Sequence, residues 1–111
     1  MSIILSIQSK QDDGNILHLI KSAIQAEIAR LKLGLDMAAK RLLPFEKKYG
    51  ISSEQFMSQF TAEDLEGGDD EYVNWAGEYQ LKQRLEQKLA QLNEIEYDRS
   101  GILQSYVKWQ N

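Results

Sequence analysis

The side chains most able to do chemistry in this 111-residue chain are one histidine, a cluster of carboxylates and two adjacent serines. His18 is followed by Lys21 and Ser22 at the positions that would face it on a helix. A catalytic or metal-binding histidine needs a partner that orients its ring, and these two residues supply none. Ser52 and Ser53 have no neighbouring base, so helix capping explains them better than nucleophilic catalysis. The sequence therefore predicts no catalytic residue and no enzymatic activity.

Five carboxylates lie within residues 64–71, close enough in sequence to suggest a site for a hard cation such as calcium. Their spacing does not follow the calcium-binding loop, which alternates its ligands and ends in a glutamate after a glycine. The interpretation that we favour is that they cap a helix and pair with the basic residues within 40–48.

A second set of carboxylates could suggest a metal-binding helical bundle. Bundles of the di-iron kind pair each glutamate with a histidine three residues on, and the only histidine here follows no glutamate. We therefore expect no metal and no cofactor, and keep a carboxylate metal-binding protein as a minor alternative. The set is Glu27, Glu78, Glu94 and Asp98.

The composition bounds the class of protein. Hydrophobic residues make up 42% of the chain and charged residues 27%, which is typical of a soluble globular or helical protein. The absence of cysteine excludes disulfides, thiolate catalysis and cysteine-ligated metal sites. No stretch reaches the roughly 18 apolar residues of a membrane span, and the segment from Met1 to Lys10 has no feature of a signal peptide. These features predict a cytoplasmic protein with no membrane partner.

The net charge of −4 is divided unevenly along the chain. Residues 1–50 carry eight Lys/Arg and five Asp/Glu, a balance of +3, whereas residues 51–111 carry five and twelve, a balance of −7. The overall acidity argues against general nucleic-acid binding. Such asymmetry can mark an interaction tail, but we expect the two halves to pack on each other.

A long amphipathic helix is predicted over residues 15–49. Apolar residues recur there at intervals of three and four, which places them on one stripe of a helix. Pro44 is expected to end or kink this helix near Leu43, and Gly50 to stop it after Tyr49. The stripe consists of Leu17, Ile20, Ile24, Ile28, Leu31, Leu35, Ala38, Leu42 and Phe45.

A short helix over residues 52–60 and a second long helix over residues 69–97 follow. Ser52 with Gln55 three residues later fits a capping box, and Asp69 is expected to cap the second long helix after an acidic, glycine-containing connector. The second long helix has an aromatic first half and an aliphatic second half. Its aliphatic stripe consists of Leu81, Leu85, Leu89, Leu92 and Ile95.

The aromatic residues are expected to form a core at the hairpin turn. Tyr72, Trp75 and Tyr79 are spaced by three and four residues and therefore share one helix face. A binding groove is the other interpretation, but this end of the hairpin otherwise lacks a core. The residues expected to pack against this face are Phe45, Phe56, Met57 and Phe60.

The two terminal segments have no obvious place in a hairpin. The N-terminal arm, residues 1–14, contains the alternating Ile3, Leu5 and Ile7, as a strand would, but shows no partner strand. The tail, residues 98–111, is too apolar for a solvated terminus. Both segments either fold back on the hairpin or order on contact with a partner, and these alternatives stay open.

We predict an all-α protein with a single domain: a long antiparallel helical hairpin with a short helix at the turn. Two long helices touch along one seam, so wide apolar stripes stay half exposed. Association into a four-helix bundle would cover them, and we expect a homodimer or a cognate protein partner. The residues expected to bind that partner are Leu17, Ile20, Ile24, Ile28, Leu31, Leu85, Leu89, Leu92, Tyr106 and Trp109.

Part of the chain resembles a known family. The stretch over residues 45–56, with its Lys-Tyr-Gly-Ile-Ser-Ser-Glu turn, is followed by Asp69-Asp70, Trp75 and Tyr79. This pattern, within about residues 35–95, resembles a group of small helical proteins of cyanobacteria and archaea that are classed as antitoxins of toxin–antitoxin pairs. The resemblance implies an acidic protein that masks a basic or RNA-directed partner, and implies no catalytic residue.

These observations together predict a non-enzymatic protein-interaction module, with an antitoxin role implied by the resemblance. The alternative is a DNA-binding regulator, since a strand-like segment before a helix is faintly similar to a β-ribbon DNA reader. However, Ser2, Ser6 and Gln8 offer no Arg or Lys to phosphates or base edges. A nucleic-acid partner is therefore not expected.

Overall fold

The computed structural model describes residues 3–6 and 13–98 of the chain. Three α-helices contain most of these residues, which confirms the predicted all-α class and the helical hairpin. The elements in chain order are β1 (Ile3–Ser6), α1 (Asp13–Tyr49), α2 (Ser53–Gln59), a 3₁₀ helix (Ala62–Asp64), α3 (Gly68–Asn93) and β2 (Ile95–Asp98).

The first long helix, α1, begins two residues earlier than predicted and ends at the predicted Tyr49. Its sequence is rich in strong helix formers such as Leu, Ala, Lys and Glu. The helix continues through Pro44 rather than ending there. Because proline has no amide hydrogen, the Lys40 carbonyl lacks its usual helical donor. Lys40 and Pro44 are both exposed, so water can donate a hydrogen bond to that carbonyl.

The turn between α1 and α2 follows local sequence signals. Gly50 has a φ of +67°, a conformation that residues with a Cβ adopt at a cost, and its amide donates to the Glu46 carbonyl at 2.8 Å. Ser52 then caps α2: its hydroxyl accepts from the Gln55 amide at 3.1 Å, and the Gln55 side chain accepts from the Ser52 amide. This is the predicted capping box.

The second long helix, α3, is shorter than predicted at its C-terminal end. It ends at Asn93, and residues 95–98 form β2 instead of the last turn of a helix over 69–97. β2 pairs in parallel with β1, with Ile3 opposite Ile95 and Ser6 opposite Asp98. Residues 95–98 pair with a strand more than 90 residues away in sequence, and this pairing overrides the helical spacing of Leu92 and Ile95. β2 is thus the partner strand that the sequence alone did not reveal for β1.

The chain divides into two compact units. The aromatic unit, Leu31–Gln87, contains the C-terminal part of α1, α2, the 3₁₀ helix and most of α3. The terminal unit consists of Met1–Arg30 and Lys88–Asn111 and contains both strands.

Within the aromatic unit, three contacts between α1 and α3 recur every seven residues on both helices, in opposite order along the chain. This heptad ladder shows that the two helices pack antiparallel in this unit. At one rung a glycine permits close approach, because a Cβ on Gly34 would lie 3.2 Å from Leu85 Cδ1. The rungs are Lys48 Nζ to Glu71 Oε2 at 2.9 Å, Arg41 Nε to Glu78 Oε1 at 2.8 Å, and Gly34 against Leu85.

Within the terminal unit, the described helical residues do not form a closed core. Leu17 is the one fully buried apolar residue among those whose burial the structure describes there. The other inward-facing aliphatic side chains are half-buried, and Leu19 is 56% exposed. The half-buried helical residues include Ile20, Ile24, Ile28, Leu89 and Leu92.

Candidate functional site

Trp75 lies at the centre of the aromatic unit and is fully buried. The Phe56 ring stacks on it with centroids 3.8 Å apart and planes 2° apart. Phe45 and Tyr49 also stack against the indole, at 5.4 and 5.7 Å. The predicted packing of the aromatic face against α1 and α2 is therefore confirmed, and this region is a core rather than an open groove.

A chain of three polar groups runs into this core. The Trp75 indole Nε1 donates to Ser53 Oγ at 2.8 Å, and Ser53 Oγ donates to Glu46 Oε2 at 2.7 Å. The Ser53 amide also donates to Glu46 Oε2, at 3.1 Å. Because Ser53 is 2% exposed, its hydroxyl satisfies buried groups and is closed to a substrate.

A second polar cluster holds the connector before α3 against the end of α1. Glu71 accepts hydrogen bonds from the Tyr49 hydroxyl at 2.5 Å, from Lys48 Nζ at 2.9 Å and from the Gly67 amide at 2.9 Å. The Tyr49 hydroxyl in turn accepts from the Glu66 amide at 2.8 Å. The predicted pairing of the basic end of α1 with the acidic start of α3 thus centres on Lys48 and Glu71.

The hydrogen bonds from Tyr49, Lys48 and Gly67 lower the pKa of Glu71 from its ordinary value of 4.5 to about 2. The hydrogen bond to Glu71 raises the pKa of Lys48. Burial, followed by the hydrogen bond to Glu71, raises the pKa of Tyr49. All three shifts favour the same pattern: an ionised Glu71, a charged Lys48 and a neutral Tyr49 whose hydroxyl donates a hydrogen bond to Glu71.

These shifts predict an acid-sensitive contribution to stability. Since the pKa of Glu71 is lower in the folded than in the unfolded chain, its contribution is complete above about pH 4.5 and is lost as the pH falls toward 2. We expect the urea midpoint to fall over this range in the unmodified chain, and to fall less in Glu71→Gln, which keeps a side-chain oxygen acceptor but does not titrate. Equal pH dependence of the two proteins would contradict the role of Glu71.

A groove of about 530 Å³ opens in the aromatic unit beside the ion pair of Arg41 and Glu78. Their side chains are 43% and 27% exposed, so the pair is solvated and contributes little to stability. The groove combines an apolar surface with the ammonium group of Lys40, and none of its lining groups forms a nucleophile–base pair. It is lined by Lys40, Arg41, Pro44, Phe45, Asn74 and Glu78.

The structure separates the predicted partner-binding residues into three groups. Leu17 and Leu31 are 6% and 2% exposed, so they pack within the chain and offer no surface to a partner. Tyr106 and Trp109 lie outside the described residues. The remaining six are half-buried: Ile20, Ile24, Ile28, Leu85, Leu89 and Leu92.

Sequence reasoning missed several exposed apolar residues. Leu33, Met37, Leu43 and Val73 are 59, 48, 45 and 65% exposed. They lie outside the two apolar stripes defined by the helical spacing, so the search for helical spacing did not find them. A search for apolar residues on the opposite side of α1 would have found Leu33 and Leu43.

Comparison of the chain with protein-family models, with curated proteins and with solved structures finds no match in any of the three. Within residues 3–6 and 13–98, no group of three or more His, Cys, Asp or Glu is arranged to hold a metal ion. No helix among these described residues is long and apolar enough to cross a membrane. The site is therefore interpreted from its own geometry.

Proposed function

We propose that this chain is a non-enzymatic protein-interaction module whose aliphatic stripes are covered by a helix of a partner protein. The observation that carries the proposal is the partial burial of the described aliphatic side chains on the two helices of the terminal unit. There, Ile20, Ile24 and Ile28 on α1, and Leu89 and Leu92 on α3, are all half-buried.

Repeated partial burial of this kind is costly for a folded chain. Full burial of a large aliphatic side chain contributes about 1.5–3 kcal/mol relative to full exposure. When a partner covers a half-buried side chain, the remaining part of this free energy contributes to binding. The spacing of four residues between Ile20, Ile24 and Ile28 along α1 suits the side chains of another helix, which pack between them. The aromatic unit differs, because it buries Trp75 and Phe56 completely.

An antitoxin role is the specific form of this proposal. It rests on the resemblance of residues 45–56 and of Trp75 and Tyr79 to small helical antitoxins. The charge of −7 over residues 51–111 suits a basic partner, because opposite charges speed association and suppress wrong partners. If the role is correct, the protein encoded beside this chain's gene arrests growth alone, and co-expression of the chain relieves the arrest.

Site-specific photo-crosslinking tests the interaction surface. A photoreactive side chain replaces Ile24 in the full chain, and a matched variant carries it at Val73, which is 65% exposed on α3. In the native cell we expect a discrete cross-linked protein, or a second copy, from position 24 and not from position 73. The product is identified by mass spectrometry, and its binding is then reconstituted from purified proteins.

The reconstituted complex provides the quantitative test. We expect Ile24→Lys to weaken binding by about tenfold or more, because a charge replaces a buried apolar contact at the interface. Gln25→Lys, at the neighbouring exposed position, should leave the affinity unchanged. Identical cross-linked products from positions 24 and 73, or an Ile24→Lys affinity equal to that of the unmodified chain, would overturn the proposal.

A further inference from the structure

Four exposed residues form a short line on the outer face of α1 within the aromatic unit. Their spacing of three, four and three residues keeps them on one side of the helix, opposite the fully buried Ala38. Leu33 and Leu43, at the two ends, are 59% and 45% exposed. Asp36 and Lys40, between them, are also exposed.

The pattern of residue types along this line is symmetric about Ala38, except that the two charged residues carry opposite charges. Leu33 and Leu43 lie five residues before and after Ala38, and Asp36 and Lys40 lie two residues before and after it. A second copy of α1 running in the opposite direction therefore presents a leucine to each leucine and the opposite charge to each charge. This is the self-complementarity that a two-fold symmetric interface requires.

We propose that a second copy of this chain docks antiparallel on this face of α1, with the two-fold axis beside Ala38. Leu33 then contacts Leu43 of the second copy, and Asp36 pairs with Lys40 of the second copy, each contact occurring twice. Met37, which is 48% exposed, lies at the edge of the face, where the second copy presents the small and exposed Ala39.

The charges favour this antiparallel arrangement over a parallel pair and over a shifted antiparallel pair. In a parallel pair, Asp36 faces Asp36 and Lys40 faces Lys40, which is repulsive. Sliding the antiparallel pair by four residues, about one helical turn, separates the ion pairs and brings either Asp36 or Lys40 opposite its own copy. The antiparallel register centred on Ala38 therefore pairs the leucines with each other and each charged residue with an opposite charge.

The expected dimer is weak. Residues 33–43 span about 15 Å of helix at 1.5 Å per residue, which is shorter than the contact of a standard stable interface. We expect a dissociation constant on the order of 10–100 µM. The dimer uses a different face of α1 from the proposed function, so the two hypotheses can fail separately.

Charge exchange in the full chain tests the proposal. Self-association is measured by sedimentation equilibrium at low ionic strength, up to several hundred micromolar protein. Asp36→Lys and Lys40→Asp should each weaken the dimer by about tenfold or more, because each creates two like-charge contacts. The double variant Asp36→Lys/Lys40→Asp should restore the affinity to within about threefold, since the exchanged charges again face opposite partners.

Further variants distinguish this face from others. Leu33→Glu should weaken the dimer, whereas Val73→Glu, on α3, should not, and circular dichroism checks that every variant keeps its helix content. A monomer at all concentrations, or no recovery in the double variant, would show that the inference is wrong. If Ile24→Lys abolishes self-association while the charge variants have no effect, the dimer forms through the surface of the proposed function instead, and this inference fails alone.

Discussion

Replacing Trp75 with alanine is expected to lower the free energy of unfolding by about 3–5 kcal/mol. The indole is fully buried and is stacked on Phe56 at 3.8 Å. Its removal leaves a cavity between three aromatic rings and also leaves Ser53 without its donor. Urea denaturation followed by circular dichroism measures the change.

Two comparisons make the Trp75 result interpretable. Val73→Ala, two residues away on the exposed side of α3, should change stability by less than about 0.5 kcal/mol. Trp75→Phe retains much of the ring and should cost less than Trp75→Ala. A Trp75→Ala cost below about 1 kcal/mol would mean that the aromatic unit is not the stable centre of the chain.

Replacing Ser53 with alanine is expected to cost about 1–3 kcal/mol, although it removes only one oxygen. Ser53 is 2% exposed, so neither the Trp75 indole N–H nor Glu46 gains a water molecule easily in its place. An unpaired buried donor loses its full solvation, which exceeds the net gain from an ordinary hydrogen bond. The measurement is the same urea titration.

A double-mutant cycle isolates the Ser53–Trp75 hydrogen bond. Trp75→Phe removes the N–H donor, so Ser53→Ala should cost less in that background than in the unmodified chain, by about 1 kcal/mol. Ser52→Ala is the matched control, because the Ser52 hydroxyl accepts from the Gln55 amide, whereas the indole donates to Ser53. Additive effects of Ser53→Ala and Trp75→Phe would contradict the bond's contribution.

The two units differ in how fully they bury their described side chains. The aromatic unit stacks Phe45, Tyr49 and Phe56 on Trp75 and fastens the connector through Glu71. In the terminal unit, Ile20, Ile24, Ile28, Leu89 and Leu92 are half-buried.

Local signals predicted the helices and turns well, because the interactions that form them span only a few residues. The capping box of Ser52 and Gln55 and the left-handed Gly50 depend on residues three or four apart. The packing of Trp75 in the turn was also predictable, since aromatic residues at helical spacing need a core. One feature of the sequence misled: the apolar pattern near Ile95, which forms β2 rather than the last turn of α3.

The amino-acid sequence by itself determined the helical hairpin, its turn and its aromatic centre, since periodicity and capping are properties of neighbouring residues. Only the tertiary structure decided that β1 pairs with β2, that Ser53 links Trp75 to Glu46, and that Leu17 and Leu31 are buried. Each of these depends on groups far apart in the chain or on which side of a helix a neighbour covers. Residue spacing predicts which side chains share a face, but not what packs against that face.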